Sequence, residues 1–216
     1  MKKKFLNSSI NLIKANKKCT EEELEIISYG LESIYLVVTK AIIIFTIAII
    51  LGITKEVLLL LIFYNIIRTQ AFGIHASKSI YCLISSIIFF IGGALFCKLI
   101  NISYKITMIT ALICNFCILF YAPADTHKRP LINPKKRIAF KYKSILLGFL
   151  YIITLYILRD NDLKNFILIG MVESTLMILP ITYKIFKLPY NNYKNYNYNV
   201  WLIFKYLINI KHKKKN

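Results

Sequence analysis

A short segment in the first half of the sequence combines residue types that can do chemistry. His75 and Cys82 lie there with the cation Arg68, in a chain otherwise rich in aliphatic side chains. An imidazole favours the thiolate of a nearby cysteine and can later protonate a departing amine. Ionisable groups at membrane depth are costly and commonly functional. We therefore predict a cysteine–histidine peptidase site. When each residue is considered alone, the alternative role of Cys82 is to pack as a small hydrophobe. The alternative for His75 is to be an interfacial histidine without a catalytic role.

The spacing of the two residues sets a condition on the backbone. His75 and Cys82 are seven positions apart and would share one face of a continuous helix, yet stay separated by roughly 10.5 Å of rise. A hydrogen bond needs the two side chains to be in contact. We therefore predict a break between Gly73 and Ser79, with Cys82 in the first turn or two of the next helix. Pairing across a dimer is the alternative.

Four further residues are candidates for supporting this site: Arg68, Gly73, Asp125 and Thr126. Arg68 is expected to hold a substrate carboxylate or orient the loop; its alternative is a cation that reaches the headgroup layer from a helix end. Asp125 and Thr126 are candidates for orienting His75, and alternatively for capping the following turn.

Neither a metal nor another cofactor is expected. Cys114 and Cys117 have the C-x2-C spacing, but a zinc site needs two more ligands, and no second pair or histidine cluster accompanies them.

The composition indicates that lipid surrounds the elements that carry these residues. Hydrophobic residues make up 57% of the 216 positions, more than the roughly 45–50% of soluble domains. We predict an all-α, polytopic transmembrane bundle of about six segments, since runs of about 20 apolar residues span a bilayer. The apolar runs are 41–53, 57–67, 80–100, 106–122, 144–158 and 163–183. The run 57–67 would cover only about 16 Å, so it is expected to be short or part of a re-entrant hairpin.

The distribution of charge predicts the orientation. The formal net charge is +19, and the basic residues concentrate in 1–18, 128–143 and 184–215. Clusters that flank membrane segments are typical of cytoplasmic loops, and no nucleic-acid-binding motif is visible. We predict a multi-pass cell-membrane protein with both termini and residues 68–79 on the cytoplasmic side, and no binding of nucleic acid.

The two ends of the chain are predicted to differ from the central domain, 35–188. Residues 1–34 are assigned to cytoplasmic and interfacial helices, because Thr20 and Glu23 have the spacing of a capping box before a helical apolar pattern. Residues 189–216 are rich in tyrosine and lysine, which favour the headgroup layer. They are predicted to form an interfacial tail.

Two motifs together resemble the accessory gene regulator B (AgrB) family. The first is Arg68-x4-Gly73-x-His75-Ala76-x5-Cys82; the second, two segments later, runs from Tyr121 to Thr126 and continues with Lys128-Arg129-Pro130-Leu131. The resemblance extends to the length and to the basic inward face. Phe72 departs from the family pattern, in which many members have a second glycine at this position.

The resemblance implies a membrane cysteine endopeptidase of quorum sensing that processes an AgrD-type propeptide. His75 would be the general base and Cys82 the nucleophile, which would cleave at the junction of signal core and acidic tail. The core would be held as an acyl-thioester until its own thiol closes a thiolactone. A homodimer fits the family.

The basic clusters suggest how the acidic tail reaches the site. Five residues are candidates for attracting it: Lys128, Arg129, Lys135, Lys136 and Arg137. Their alternative roles are to set the topology and to bind lipid headgroups. Two rival functions stay open: a peptide exporter or scaffold without catalysis, and a lipid-modifying enzyme that needs no thiol.

Overall fold

The protein folds as a bundle of helices. The computed structural model describes residues 2–16, 20–74, 79–126 and 130–196. Its helices are α1 (Lys2–Asn16), α2 (Glu21–Ile50), α3 (Thr54–Ala71), α4 (Ser79–Ile87), α5 (Gly93–Leu99), α6 (Tyr104–Tyr121), α7 (Pro134–Ile157), α8 (Leu163–Leu176) and α9 (Pro180–Ile185). A π-helical turn, Ile88–Gly92, joins α4 to α5, and a 3-10 turn, Asn192–Asn195, follows α9. The predicted all-α class is confirmed.

Among the described residues, four stretches are long and apolar enough to cross a membrane: Gly30–Ile50, Ile80–Leu99, Tyr104–Tyr121 and Pro134–Ile157. Large aliphatic side chains such as Ile50, Ile109 and Ile153 point outward and are exposed. An apolar outer face of this kind suits lipid and not water. The chain is a multi-pass membrane protein.

Helices α3 and α8 form the centre of the bundle. Ten of the 14 residues of α8 are buried, and Gly170 on α8 lets the two backbones approach closely, since an added Cβ would lie 2.9 Å from the Tyr64 nitrogen. Small residues permit such close packing between membrane helices. On the neighbouring α7, the Tyr151 hydroxyl donates to the Phe63 carbonyl at 2.8 Å. Helices α3, α7 and α8 therefore pack against one another in the core.

The connections alternate between the two ends of the bundle. Backbone hydrogen bonds join the residues that follow α3, α6 and α8; we call this the Gly73 end. At the opposite end, Lys98 Nζ lies 3.4 Å from the Gly52 carbonyl oxygen. There, too, the Asn165 side chain donates to the Ile100 carbonyl at 2.9 Å. Successive long helices therefore run in opposite directions.

Three predicted segments have different bounds in the structure. The helix over 57–67 is longer than predicted, because α3 has 18 residues. Helix α7 begins ten residues before the predicted 144, since Asn133 caps its N-terminus and Pro134 occupies its first turn. The predicted segment 163–183 is not one helix: α8 ends at Leu176, and Pro180 starts α9. A proline disfavours helix at the preceding residue, which explains the interruption.

The two termini differ in how much of the prediction the structure describes. The capping box is confirmed, because the Glu23 amide donates to the Thr20 hydroxyl at 3.3 Å and the Thr20 amide to the Glu23 carboxylate at 3.0 Å. From there α2 continues unbroken to Ile50, so the proposed domain boundary at 34/35 lies within a helix. At the other terminus, residues 197–216 of the predicted interfacial tail lie outside the described residues.

Candidate active site at the Gly73 end

Three connections meet at the Gly73 end through main-chain hydrogen bonds. The Gly73 amide donates to the Ala124 carbonyl at 2.8 Å, and the Ala124 amide donates back to the Ala71 carbonyl at 2.9 Å. The Ile74 amide donates to the Met177 carbonyl at 3.0 Å. The first predicted motif is therefore fixed against the second and against the end of α8.

Arg68 and Gly73 hold the turn that follows α3. The Arg68 guanidinium donates to the Ile74 carbonyl through Nη2 and lies 5.8 Å from the centre of the Tyr64 ring. Gly73 has φ +111°, and a Cβ there would lie 2.4 Å from Arg68 Nη1 and 2.6 Å from the Met177 carbonyl oxygen. A side chain at position 73 would thus meet both a strained backbone and a collision. The Arg68 guanidinium thus contacts the loop, and its role at the site stays a prediction.

Phe72 also has a positive φ, +60°. Bulky residues seldom adopt this conformation, whereas glycine adopts it readily. The backbone at this position is therefore one that suits glycine better than the phenylalanine present here. The Phe72 ring packs edge-on against Phe140 of α7 at a centroid distance of 4.9 Å, a contact that offsets part of the cost.

The helix break predicted between Gly73 and Ser79 is confirmed by the described residues on either side of 75–78. Helix α3 ends at Ala71, residues 72–74 are not helical, and α4 begins at Ser79. Cys82 accordingly lies in the first turn of α4, as predicted, and is half-buried. His75 lies outside the described residues, so its pairing with Cys82 stays a prediction.

A cavity of about 650 Å³ opens beside Cys82. Helices α2, α3 and α4 form most of its wall, with the turn after α3 and parts of the other two connections closing one side. Its polar or ionisable lining residues are Lys40, Tyr64, Asn65, Arg68, Thr69, Cys82, Ser85, Ser86 and Thr126. The structure therefore brings four predicted site residues, Arg68, Gly73, Cys82 and Thr126, to one cavity.

Comparisons with known sequences identify the family of this chain. The family profile described as Accessory gene regulator B matches residues 6–179. The chain belongs to the accessory gene regulator B (AgrB) family. It is 32% identical to an AgrB-like protein of Clostridium acetobutylicum over 84% of this chain and 88% of that protein.

Two further relatives also cover most of the sequence. An AgrB-like protein of Listeria innocua is 28% identical over 83% of this chain and 88% of the relative. The accessory gene regulator protein B of Staphylococcus epidermidis is 32% identical over 72% of this chain and 79% of that protein. No solved structure matches the chain.

Asp125 of this AgrB-family chain is buried and bonded to backbone groups. Its carboxylate accepts from the amides of Leu131, Asn192 and Tyr193 at 3.2, 3.0 and 2.8 Å. Its carbonyl accepts from the Tyr183 hydroxyl at 2.9 Å. Asp125 therefore ties the second motif to the segment after α9. Its predicted role in orienting His75 stays a prediction.

Replacing Asp125 by asparagine is expected to destabilise the Gly73 end. The amide keeps the size of the carboxylate but turns a donor toward backbone donors, which should cost about 2–3 kcal/mol and lower the unfolding midpoint by roughly 5–10 °C. Thermal unfolding in detergent measures this shift. The matched control is Asp160→Asn, since that carboxylate is exposed and bonds only Arg159 among the described residues. Equal midpoints for the two variants would contradict the structural role of Asp125.

The predicted tail-binding residues that the structure describes do not line the Cys82 cavity. Lys135 and Lys136 are exposed at the start of α7. The Arg137 guanidinium lies over the Tyr193 ring and lines a separate cavity of about 540 Å³ with Lys141. Lys128 and Arg129 lie outside the described residues. The described tail-binding candidates, Lys135, Lys136 and Arg137, thus lie at the Gly73 end but outside the lining of this cavity.

Sequence reasoning missed the neighbour of Cys82. Lys40 Nζ lies 3.8 Å from Cys82 Sγ, a contact that the sequence analysis did not predict. In the described part of the chain, Glu173 Oε2 is buried without a hydrogen-bond partner. An ionisable residue such as Lys40 in an apolar span signals a functional site. Its contact partner, Cys82, is 42 positions away, however, and no local sequence pattern reveals that contact.

Proposed function

We propose that this protein is a membrane-embedded cysteine endopeptidase that removes the C-terminal tail of an AgrD-type propeptide. The observation that carries the proposal is the position of Cys82, half-buried in the first turn of α4 and lining a cavity with Arg68 and Gly73. Membership of the AgrB family supports the choice of substrate. A helix N-terminus favours an anion, and so favours a thiolate at this position.

The proposed reaction has two thiol steps. Cys82 Sγ attacks the carbonyl carbon at the junction of core and tail; the C–S bond forms and the C–N bond breaks. His75, as the general base of the pair, receives the thiol proton and delivers it to the departing amine. A thiol of the core then attacks the thioester, its proton passes to the Cys82 sulfur, and the ring closes as a thiolactone. Exchange of one thioester for another retains the activation that hydrolysis would discard.

The architecture supports a location of this chemistry at the cytoplasmic face. We propose six membrane segments, with α3 and α8 completing the four long apolar ones. At 18 residues, α3 is about 27 Å long, close to the thickness of the hydrocarbon core. The described basic residues Lys135, Lys136 and Arg137 lie near the Gly73 end, which favours that end, and both termini, as cytoplasmic.

The basic residues around the Gly73 end would attract the acidic tail and the membrane surface. Lys128, Arg129, Lys135, Lys136 and Arg137 would speed encounter with the tail while the amphipathic leader lies in the lipid headgroup layer. Arg68 and Gly73 would keep the loop in place, and Asp125 and Thr126 would support it from the second connection. Two copies of the chain would form the homodimer implied by the family.

Trapping the acyl-enzyme tests the proposal. The protein is co-expressed with an AgrD-type propeptide whose ring-closing cysteine is replaced by alanine, so that the thioester cannot cyclise. Mass spectrometry is expected to find the core attached to the Cys82 peptide and released by hydroxylamine. Tail release without such an adduct would contradict the mechanism. Export of uncleaved propeptide would instead favour the exporter.

A further inference from the structure

Lys40 is an unusual residue for its place in the sequence. Lys40 is the single charged residue between Ser33 and Ile50. This stretch lies in the part of α2 that is apolar enough to span a membrane. A charged side chain inside such a helix costs about 2.5–3.5 kcal/mol on insertion scales. A residue retained at that cost needs a partner that uses its charge.

The partner is the sulfur of Cys82. Lys40 Nζ and Cys82 Sγ are 3.8 Å apart and line the same cavity. Among the described residues, no carboxylate lies within ion-pair distance of Lys40. Tyr64 and Arg68 of α3 are the other ionisable groups on this wall of the cavity. Lys98, by contrast, lies at the opposite end and pairs with Glu56 at 3.6 Å.

We propose that Lys40 is a further catalytic residue, whose ammonium group holds the Cys82 sulfur as a thiolate. This inference rests on the proposed function, but the contact between nitrogen and sulfur can be tested without a substrate. A cation beside a thiol stabilises the negative sulfur, and the effect is strongest where water is scarce. The lysine keeps its proton throughout the reaction.

The role of Lys40 is separable from that of His75. When the C–S bond forms, the sulfur loses its negative charge and the carbonyl oxygen gains it. The electron pair returns as the C–N bond breaks, and the amine receives its proton from His75. Lys40 thus prepares the nucleophile, whereas His75 moves the proton. Because Lys40 acts through its charge, arginine should replace it in part and an uncharged residue should not.

The rate of Cys82 alkylation by iodoacetamide tests the proposal in the full-length protein in lipid nanodiscs. Mass spectrometry of the Cys82 peptide gives the rate at pH 7. Lys40→Met keeps the apolar stem and removes the charge, and should react about tenfold more slowly. Lys40→Arg should stay within about threefold of wild type. Lys98→Met, the matched control, should be unchanged.

A pH series distinguishes loss of charge from loss of structure. At pH 9 most of the alkylation rate of Lys40→Met should return, because hydroxide then generates the thiolate. Lys40→Gln should behave in the same way, and provides the test if the methionine variant does not fold. Wild-type alkylation rates in both uncharged variants at pH 7 would overturn the proposal.

The outcome is independent of the peptidase assignment. If alkylation does not depend on Lys40 but tail cleavage requires Cys82, the lysine proposal fails and the proposed function stands. If alkylation depends on Lys40 but Cys82 is dispensable for tail cleavage, the proposed function fails and the nitrogen–sulfur pair stands.

Discussion

Changing Cys82 to serine, or His75 to alanine, is expected to reduce tail cleavage by at least a factor on the order of 10³. Serine keeps the shape of the side chain, but its hydroxyl ionises far less readily than a thiol. Alanine at position 75 removes the proposed base and proton carrier. Because the two residues would act as a unit, the double variant should be scarcely worse than either single variant.

Tail release from a co-expressed propeptide, followed by mass spectrometry, measures this effect. The matched control is Cys117→Ser, since Cys117 is also a half-buried free thiol but lies on α6, outside the cavity lining. It should cleave within about twofold of wild type. Cleavage by both Cys82→Ser and His75→Ala at the control rate would exclude the cysteine mechanism. Full cleavage with loss of secreted peptide would point to export.

Local patterns in the sequence predicted much of this fold. Thr20 and Glu23 form the predicted capping box, and the apolar runs other than 163–183 each correspond largely to helix. The start of α7 was harder to predict, because its basic first turns look like a loop when judged by hydropathy. Asn133 and Pro134 were the signals that define its N-terminus.

The geometry of the site was less predictable, because it depends on contacts between distant segments. The spacing of His75 and Cys82 required a helix break, and the structure has one after Ala71. The position of Lys40 beside Cys82 depends on how α2 packs against α4. Likewise, the Asp125 carboxylate bonds to amides near residue 192. No periodicity specifies such a pairing.

Gly73→Ala is expected to damage both stability and activity. The added Cβ would lie 2.4 Å from Arg68 Nη1 and 2.6 Å from the Met177 carbonyl oxygen, at a residue with φ +111°. The arginine is a flexible side chain and can shift, whereas the Met177 carbonyl belongs to backbone that accepts the Ile74 amide. The turn must move, at a cost of about 2–4 kcal/mol, and cleavage should fall about 100-fold because the cavity wall moves with it.

Gly92→Ala provides the matched control, because an alanine Cβ at that helical position would meet nothing within 4 Å. It should leave cleavage unchanged and should not lower the unfolding midpoint, since alanine suits a helix better than glycine. A second variant separates the two collisions. Combining Gly73→Ala with Arg68→Met removes the guanidinium but leaves the Met177 carbonyl and the positive φ, so stability should not return. Full recovery of the unfolding midpoint in the double variant would show that the arginine alone requires glycine at position 73.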